Sequence, residues 1–177
     1  MISPRFRSAD NHGDGTTEGE TLTYVREGRP EETAELTGLA LRSKAHWGYD
    51  EAFMAACRDE LTVTPDDMAH GRTVVAEQDG RILGFTTLAG EPPEGALAMM
   101  FVEPDAIGRG VGRLLFEHTV ARARRSGFVR LTIDADPNAE SFYTAMGAVR
   151  IGSTPSGSVP GRALPLLELG LVGRRAD

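Results

Sequence analysis

Three glycines in five residues stand at the start of a predicted helix, in the stretch GRGVGRLLFEH. Gly108, Gly110 and Gly112 follow an apolar, strand-like segment and precede a run whose apolar residues recur at helical spacing. At such a turn the free backbone N–H groups of the helix start converge on an anion, which the positive end of the helix dipole also favours. Arg109 and Arg113 add positive charge at the same end. The spacing therefore predicts a phosphate or diphosphate site.

Two common phosphate-binding motifs do not fit this stretch. A P-loop requires a Gly-Lys pair followed by Ser or Thr, but the only lysine of the chain, Lys44, lies far from the glycines. The dinucleotide pattern Gly-x-Gly-x-x-Gly is not met, because the spacing here is Gly-x-Gly-x-Gly. The preceding strands also read as a meander rather than a βαβ unit, so a different anion site is indicated.

A third motif does fit. The stretch resembles the acyl-coenzyme A site of the GNAT superfamily of N-acetyltransferases, whose pattern is Leu-x-Val-x-Pro followed by Gln/Arg-Gly-x-Gly-x-Gly/Ala. The matching positions are Met100, Val102, Pro104, Ile107, Gly108, Gly110 and Gly112. Ile107 departs from the pattern, because it stands where Gln or Arg is usual. The later stretch DPNAESFYTAMGA resembles the family's second half-motif, with Ala148 in place of its final Phe.

The resemblance covers the chain from about Thr21 to Leu171 and implies both a fold and an activity. The fold is the GNAT fold, an α/β architecture with a central mixed, mostly antiparallel sheet of about seven strands flanked by about four helices. The implied activity is acetyl transfer from acetyl-CoA to a primary amine by direct attack in a ternary complex. We expect a small-molecule amine as the acceptor.

The resemblance also implies roles for individual residues. Tyr143 occupies the position of the general acid that protonates the departing thiolate, and the backbone N–H of Val102 faces the thioester carbonyl. Asn138 contacts the pantetheine or diphosphate arm. The implied coenzyme A-binding residues are Phe101, Val102, Ile107, Gly108, Arg109, Gly110, Val111, Gly112, Arg113 and Asn138.

The residue that removes the proton of the amine is not fixed by the sequence. An alkylamine is mostly protonated at neutral pH, so a base or a chain of waters must act before the attack. Glu103, directly after the apolar strand, is the first candidate, and Asp134, near the end of the next strand, is the second. Side chains alternate between the two faces of a strand, so either carboxylate is compatible with the pattern. His46 is a third candidate.

The acceptor pocket is expected at the junction of the first two helices. His46, Trp47 and Tyr49 lie at this junction, and the resemblance implies that it lines the pocket. The following block, residues 49–71, holds six acids against one arginine, a net charge of −5. An acidic rim would attract a cationic amine, although a solvated helix face explains the same residues.

Each candidate also has a purely structural interpretation. Tyr143 could be a tyrosine at the edge of the core, and Asn138 could simply begin its helix. Cys57 is expected to be a small core residue, because no histidine is placed to pair with it. For the whole protein, two alternatives stay open: an acetyltransferase acting on protein lysines or N-termini, or a non-catalytic acyl-CoA-binding module.

The elements that must position these residues are predicted from periodicity and turn signals. The first half reads as a strand, two helices and a meander of three strands with a hairpin turn at Asp79-Gly80. The second half reads as a helix from about Arg109 to Ser126, a strand, a helix with Asp136 as its N-cap, and a closing pair of strands.

Composition limits the remaining possibilities. The 177 residues predict one domain over residues 20–177, preceded by a polar tail over residues 1–19. The single cysteine and the lack of a Cys/His pattern predict no disulfide and no metal site, and the net charge of −7 argues against a nucleic-acid partner. No apolar run is long enough for a signal peptide or a membrane span, so we expect a cytoplasmic protein. The apolar C-terminal strand suggests a contact in a homodimer.

Overall fold

The computed structural model describes residues 22–171, which form seven strands and five α-helices. The expected tail over residues 1–19 lies outside the described residues. The strands are β1 (Tyr24–Glu27), β2 (Thr73–Gln78), β3 (Arg81–Glu91), β4 (Glu94–Val102), β5 (Arg130–Asp134), β6 (Val149–Pro155) and β7 (Ala163–Gly170). The helices are α1 (Thr33–Ala45), α2 (Glu51–Ala56), α3 (Pro65–Met68), α4 (Val111–Arg125) and α5 (Glu140–Ala145).

All seven strands join one sheet in the order β1-β2-β3-β4-β5-β7-β6. Neighbouring strands are antiparallel except β4 and β5, which run parallel. These two strands pair only where Glu94–Ala96 faces Arg130–Thr132. Beyond Ala96, β4 stays with β3 while β5 stays with β7, so the two strands separate. The predicted mixed, mostly antiparallel sheet is confirmed, and it is split along its middle.

The helices cover the two faces of the sheet with separate cores. On one face α4 and α5 pack together over β5, burying the side chains of Phe116, Val120, Ile133 and Tyr143. On the other face α1 and the segment around α2 pack over β2 and β3, burying those of Leu36, Leu39, Cys57, Val75 and Phe85. Because strand side chains alternate, neighbouring residues of β4 and β5 reach opposite cores.

Local sequence signals explain where several elements begin and turn. Asp79 and Gly80 join β2 to β3 with φ angles of 53° and 76°, the left-handed values that an Asp-Gly hairpin turn requires. Asp136 accepts a hydrogen bond from the Asn138 N–H, so it begins the helical segment as predicted. The sequence pattern predicts the second helix from Asp50 to Glu60, but α2 ends at Ala56. Four helices were expected from the sequence, and the additional one is α3, a single turn of four residues.

The apolar C-terminal strand is explained by the core rather than by an interface. β7 lies between β5 and β6, and its apolar side chains, such as Leu167, are buried. The suggestion that this strand supplies a dimer contact therefore loses its basis. Within residues 22–171, no helix is both long enough and apolar enough to cross a membrane.

Candidate active site

The glycine turn at the start of α4 has the backbone geometry that an anion site requires. Gly108 and Gly110 have φ angles of 80° and 85°, in the left-handed region that residues with a Cβ rarely adopt. A Cβ built at either position meets nothing within 4 Å, so the backbone there faces open space. Gly110 is the N-cap, and its carbonyl accepts the Leu114 N–H at 3.0 Å. The N–H groups of residues 111–113 are therefore free of helical hydrogen bonds and available to an anion.

The third glycine has a different role. Gly112 has ordinary helical geometry, and a Cβ there would lie 3.5 Å from the Met100 side chain and 3.6 Å from the Phe142 ring, which are normal contact distances. A small side chain would therefore fit at Gly112, whereas the left-handed φ angles of Gly108 and Gly110 require glycine. Arg109 and Arg113 are both exposed beside the turn, and Arg113 pairs with Glu117 at 3.7 Å.

A cleft of about 450 Å³ opens where β4 separates from β5. The Glu103 N–H donates to the Leu83 carbonyl of β3 at 2.8 Å. Because alternate residues of an antiparallel strand donate to opposite sides, the N–H groups of Val102 and Met100 are directed away from β3. They face the side on which β5 no longer pairs with β4. Two backbone donors are thus available to a ligand in the cleft.

A β-bulge sets which residues of β4 face the cleft. The β3 register passes from Thr87 opposite Met99 to Leu88 opposite Leu97, so Ala98 is the extra residue. Beyond the bulge Met99 packs toward α1 and α2, while Met100 packs toward α4 and α5. The bulge lies next to the point of strand separation, so it fixes the orientation of the backbone donors along the cleft.

Tyr143 enters the cleft from the α5 side. Its side chain is 7% exposed and packs beside Phe116 and Phe142. Within residues 22–171 no hydrogen-bond partner reaches its hydroxyl, although the residue lines the cleft. Burial, followed by the negative charge of Asp136, raises the pKa of the phenol well above its ordinary value. The hydroxyl therefore stays protonated and can donate a proton or hydrogen bond to a group in the cleft.

The two candidate carboxylates are placed very differently. Asp134 lines the cleft, and since Ile133 packs toward α4 and α5, alternation places Asp134 on the opposite face from Tyr143. Its carboxylate makes no hydrogen bond or ion pair with another described residue. Glu103, the first candidate from the sequence, lies in a separate recess. There Arg42 of α1 donates to its carboxylate at 2.5 and 3.2 Å.

The geometry therefore does not favour Glu103 as the base. Its side chain is 9% exposed and Arg42 donates to both of its carboxylate oxygens, and Glu103 is not among the residues that line the cleft. The ion pair instead joins the end of β4 to α1. Asp134 is the carboxylate that fits the chemistry of the base.

A polar network, here called the Asp136 cluster, closes the other end of the cleft. Its members are Lys44, Tyr49, Asp136, Asn138 and Arg162. The Asp136 carboxylate accepts from the Lys44 ammonium at 2.6 Å and from the Arg162 guanidinium at 3.3 Å. The Tyr49 hydroxyl donates to Asp136 at 2.9 Å and accepts from Arg162 at 2.8 Å. The cluster thereby joins α1, the segment after β5 and the loop before β7.

The cluster keeps Asp136 ionised. Burial alone raises the pKa of this carboxyl, but the Lys44 ammonium, the Asn138 N–H and the Tyr49 hydroxyl stabilise the anion and together lower the pKa to about 2. Burial and the neighbouring Asp136 charge raise the pKa of the Tyr49 phenol. The Asp136 carboxyl therefore stays ionised over the whole neutral range.

Aromatic side chains pack beside the Asp136 cluster. Tyr49 and Phe53 stack with their centroids 4.0 Å apart, and the Arg162 guanidinium lies 4.8 Å from the Phe53 centroid. Trp47 lines the cleft and is 41% exposed, whereas the exposed His46 packs against Trp47 outside the lining. Tyr49 does not line the cleft, and its hydroxyl instead takes part in the hydrogen bonds of the Asp136 cluster.

Two acids of the acidic block stabilise helix starts. Asp50 is the N-cap of α2, and Asp67 is the N3 partner of the Thr64 cap in the capping box that begins α3. Glu60 is the one acid of this block that lines the cleft among the described residues. Cys57 also lines it, with its buried side chain in the core under α1. Within residues 22–171, no group of three or more His, Cys, Asp or Glu side chains is arranged to hold a metal ion.

Most of the predicted coenzyme A-binding residues meet in the cleft. Those lining it are Phe101, Val102, Ile107, Gly108, Gly110, Gly112, Arg113 and Asn138. Arg109 lies outside the lining, and the Val111 side chain is buried in the core beneath the turn. The Asn138 side chain donates to Asp136 and Tyr49, so it belongs to the Asp136 cluster.

Lys44 and Arg162 were missed as site residues. One signal was present: Arg162 is the only charged residue in the stretch STPSGSVPGRALP, which is otherwise small, polar or apolar. A single charge in a Gly/Ser/Pro-rich loop is a candidate for a specific contact. Lys44, within a helix of ordinary polarity, gave no such signal.

Comparisons with known proteins agree with this geometry. A family model described as an acetyltransferase (GNAT) domain matches residues 37–157. The peptidyl-lysine N-acetyltransferase YiaC of Escherichia coli is 30% identical over 125 residues, covering 70% of this chain and 81% of that protein. A GCN5-related N-acetyltransferase structure from Rhodopseudomonas palustris shares 26% identity with a TM-score of 0.68, covering 84% of this chain and 95% of that one.

A further solved structure supports the fold alone. The PaiA N-acetyltransferase of Thermoplasma acidophilum, solved in complex with coenzyme A, is 16% identical with a TM-score of 0.70, over 84% of this chain and 99% of that one. The glycine turn, the split sheet and the family match agree, and the chain belongs to the GNAT superfamily of acetyl-CoA-dependent N-acetyltransferases.

Proposed function

We propose that this enzyme transfers the acetyl group of acetyl-CoA to the primary amine of a small molecule, by direct attack in a ternary complex. The observation that carries the proposal is the Tyr143 hydroxyl, which has no partner among the described residues and lies in the cleft where β4 separates from β5. At this position, where β4 and β5 leave their backbone groups free, the hydroxyl could protonate the thiolate that leaves the thioester.

The residues fit acetyl-CoA as the acyl donor. The free N–H groups at the start of α4 and the nearby Arg113 would hold its diphosphate, since both Gly108 and Gly110 leave the backbone open to solvent. The arm of the coenzyme would then lie along the split between β4 and β5. The N–H groups of Val102 and Met100 would stabilise negative charge on the thioester oxygen.

Acid and base would act from opposite sides of the cleft. Asp134, on the α1 side, would take up a proton of the acceptor's ammonium directly or through water, and the free amine would then attack the thioester carbonyl. Tyr143, on the α5 side, donates its proton to the sulfur as the bond from carbonyl carbon to sulfur breaks. The remaining rate enhancement would come from holding the amine and the thioester together.

The closure of the cleft favours a small acceptor over a protein. The contact between Tyr49 and Arg162 at 2.8 Å joins the loop after α1 to the loop before β7, and the stacked Tyr49 and Phe53 rings pack against the Arg162 guanidinium. An open groove for a polypeptide would leave these loops apart. A lysine side chain of a protein is the second candidate acceptor, favoured by the similarity to YiaC, a peptidyl-lysine N-acetyltransferase.

Thiol release from acetyl-CoA, measured over a panel of small primary amines and a matched panel of lysine-containing peptides, tests the proposal. We expect release with at least one class of small amine, together with the N-acetylated product by mass spectrometry. Turnover restricted to peptides would select the second candidate. Tight coenzyme A binding without thiol release from any amine would contradict the catalytic roles proposed here.

A further inference from the structure

The Asp136 cluster carries one more positive than negative charge. The side chains of Lys44, Asp136 and Arg162 are 13%, 12% and 17% exposed, so all three charges are largely withdrawn from water. Asp136 is the acidic side chain that pairs with both cations, and no second carboxylate of residues 22–171 lies within 4.0 Å of either. One partly buried cation is therefore left without a countercharge, which is unfavourable unless a ligand supplies it.

The guanidinium also has hydrogen-bonding capacity to spare. Within the described part of the chain, the bonds from Arg162 to Tyr49 and Asp136 both leave from Nη2. Nε and Nη1 have no acceptor there, and Arg162 lines the cleft. The Lys44 ammonium has three donors, of which one is directed to Asp136. An arginine with a free edge is suited to a planar group with two oxygens, such as a carboxylate.

The position of the surplus charge assigns it to the acceptor rather than to coenzyme A. Lys44 lies on α1 and Tyr49 follows that helix, on the face of the sheet opposite α4 and α5. The diphosphate has its own donors at the glycine turn before α4. The anion expected beside Arg162 is therefore a second one, on the side from which the amine enters.

Negative charge occupies another part of the same cleft. Asp134 and Glu60 line it, and neither forms an ion pair with a residue between 22 and 171. An acceptor with an amine and a carboxylate matches this arrangement, because the carboxylates would attract its ammonium and Arg162 its carboxylate. We propose, on the basis of the function proposed above, that the acceptor is an amino acid or a closely related amino carboxylate, held by Arg162 and Lys44.

The test compares matched amines that differ only in the carboxylate. Initial rates are measured for α-, β- and γ-amino acids and for the amide of each one that is acetylated. We expect kcat/KM to be at least tenfold higher for the acid than for its amide, although the amide has the less basic and hence more available amine. In the Arg162→Gln variant this ratio should fall to near one, while coenzyme A affinity is unchanged.

Control variants separate this effect from misfolding. Arg150→Gln removes an exposed arginine of β6 that pairs with Glu140 outside the cleft, and it should keep the full ratio. Lys44→Met should lower the ratio in the same direction as Arg162→Gln. If Arg162→Gln does not fold, Arg162→Lys, which keeps the charge but loses the planar fork, should retain part of the preference.

A binding measurement gives a readout besides turnover. With coenzyme A present, an N-acetylated amino acid should raise the melting temperature of the wild type more than its amide does, and this difference should vanish in Arg162→Gln. Turnover of neutral amines with no preference for acids would overturn the proposed carboxylate site and leave the acetyltransferase function standing. Absence of turnover with every amine would overturn both.

Discussion

Two parts of one cleft present hydrogen-bond donors and positive charge by different means. At the glycine turn the donors are backbone N–H groups of consecutive residues, exposed because Gly108 and Gly110 adopt left-handed φ angles. At the Asp136 cluster the charges are side chains from three separate segments, brought together by the fold. A backbone site depends on local geometry, whereas a side-chain site depends on tertiary packing. The two ends should therefore respond differently to substitution.

The largest effect is expected at the backbone site. Gly110→Val places a β-branched residue at φ 85°, which strains the turn and rotates the N–H groups that follow it. Hydrogen bonds to a charged group contribute about 1.5–3 kcal/mol each, so loss of two predicts a fall in coenzyme A affinity of about 100-fold or more. Isothermal titration with coenzyme A measures it, and unchanged affinity would contradict the backbone account of the turn.

Gly112→Ala is the matched control for this substitution. Gly112 has helical geometry and room for a Cβ at ordinary contact distances. Coenzyme A affinity should stay within about threefold of the wild type, since no hydrogen bond to the anion is altered. A large loss in this variant would mean that space, rather than φ, is what the glycines provide.

The next effect is expected from Tyr143→Phe, which removes the proton donor between the two ends. We expect kcat to fall by about 100-fold with little change in coenzyme A affinity, as for loss of a general acid. Because burial raises the pKa of Tyr143, the wild-type rate should show no decline from its ionisation as the pH rises from 7 to 10. Tyr24→Phe, at an exposed tyrosine bonded to Glu77, is the control and should leave kcat unaltered.

A smaller effect separates the two candidate bases. Asp134→Asn should lower kcat/KM about tenfold at pH 7, and the deficit should shrink at higher pH, where the amine loses its proton without help. Glu103→Gln should leave kcat/KM within about twofold and lower stability by about 1 kcal/mol, since it weakens the bond to Arg42. The opposite ranking in steady-state kinetics would restore Glu103 as the base.

The smallest effect concerns the stability of the side-chain site. The folded pKa of Asp136 is about 2, below its ordinary value of 3.8, so its stabilising contribution is complete above about pH 5 and is lost as the pH falls through 2. Asp136→Asn keeps a good N-cap but removes the charge. It should lower the free energy of unfolding by about 1 kcal/mol at pH 7 and by less at pH 2, measured by urea unfolding. An equal loss at both pH values would contradict the ionic role.

The glycine turn was predictable from the sequence because its geometry depends on a few neighbouring residues. For the same reason a substitution at Gly110 alone should disrupt it. A left-handed turn before a helix leaves a local pattern of glycines, and the hairpin at Asp79-Gly80 left an equally local one. The N-cap at Asp136 belongs to this group as well. Features that are determined within a few residues were therefore read correctly.

The side-chain site was not predictable, because no local pattern links its members. Lys44 and Arg162 lie far apart in the sequence, and only the folded chain brings both to Asp136. To choose between Glu103 and Asp134, one must know which face of the sheet each side chain lies on. One extra residue in a strand, such as Ala98 in β4, reverses the faces of all the residues that follow it. Of the acidic block, Glu60 lines the cleft, whereas Asp50 and Asp67 stabilise helix starts, a division that the sequence pattern does not show.

The separation of β4 from β5 has a mechanical consequence. The halves of the sheet, β1–β4 and β5–β7, share only three paired residues on each side, so beyond them each half presents an unpaired strand edge to the cleft. An extended ligand arm with amide groups can form hydrogen bonds with such edges. Bound coenzyme A should therefore slow amide exchange at Met100 and Val102, because it would cross-link the two halves through backbone groups that are otherwise free.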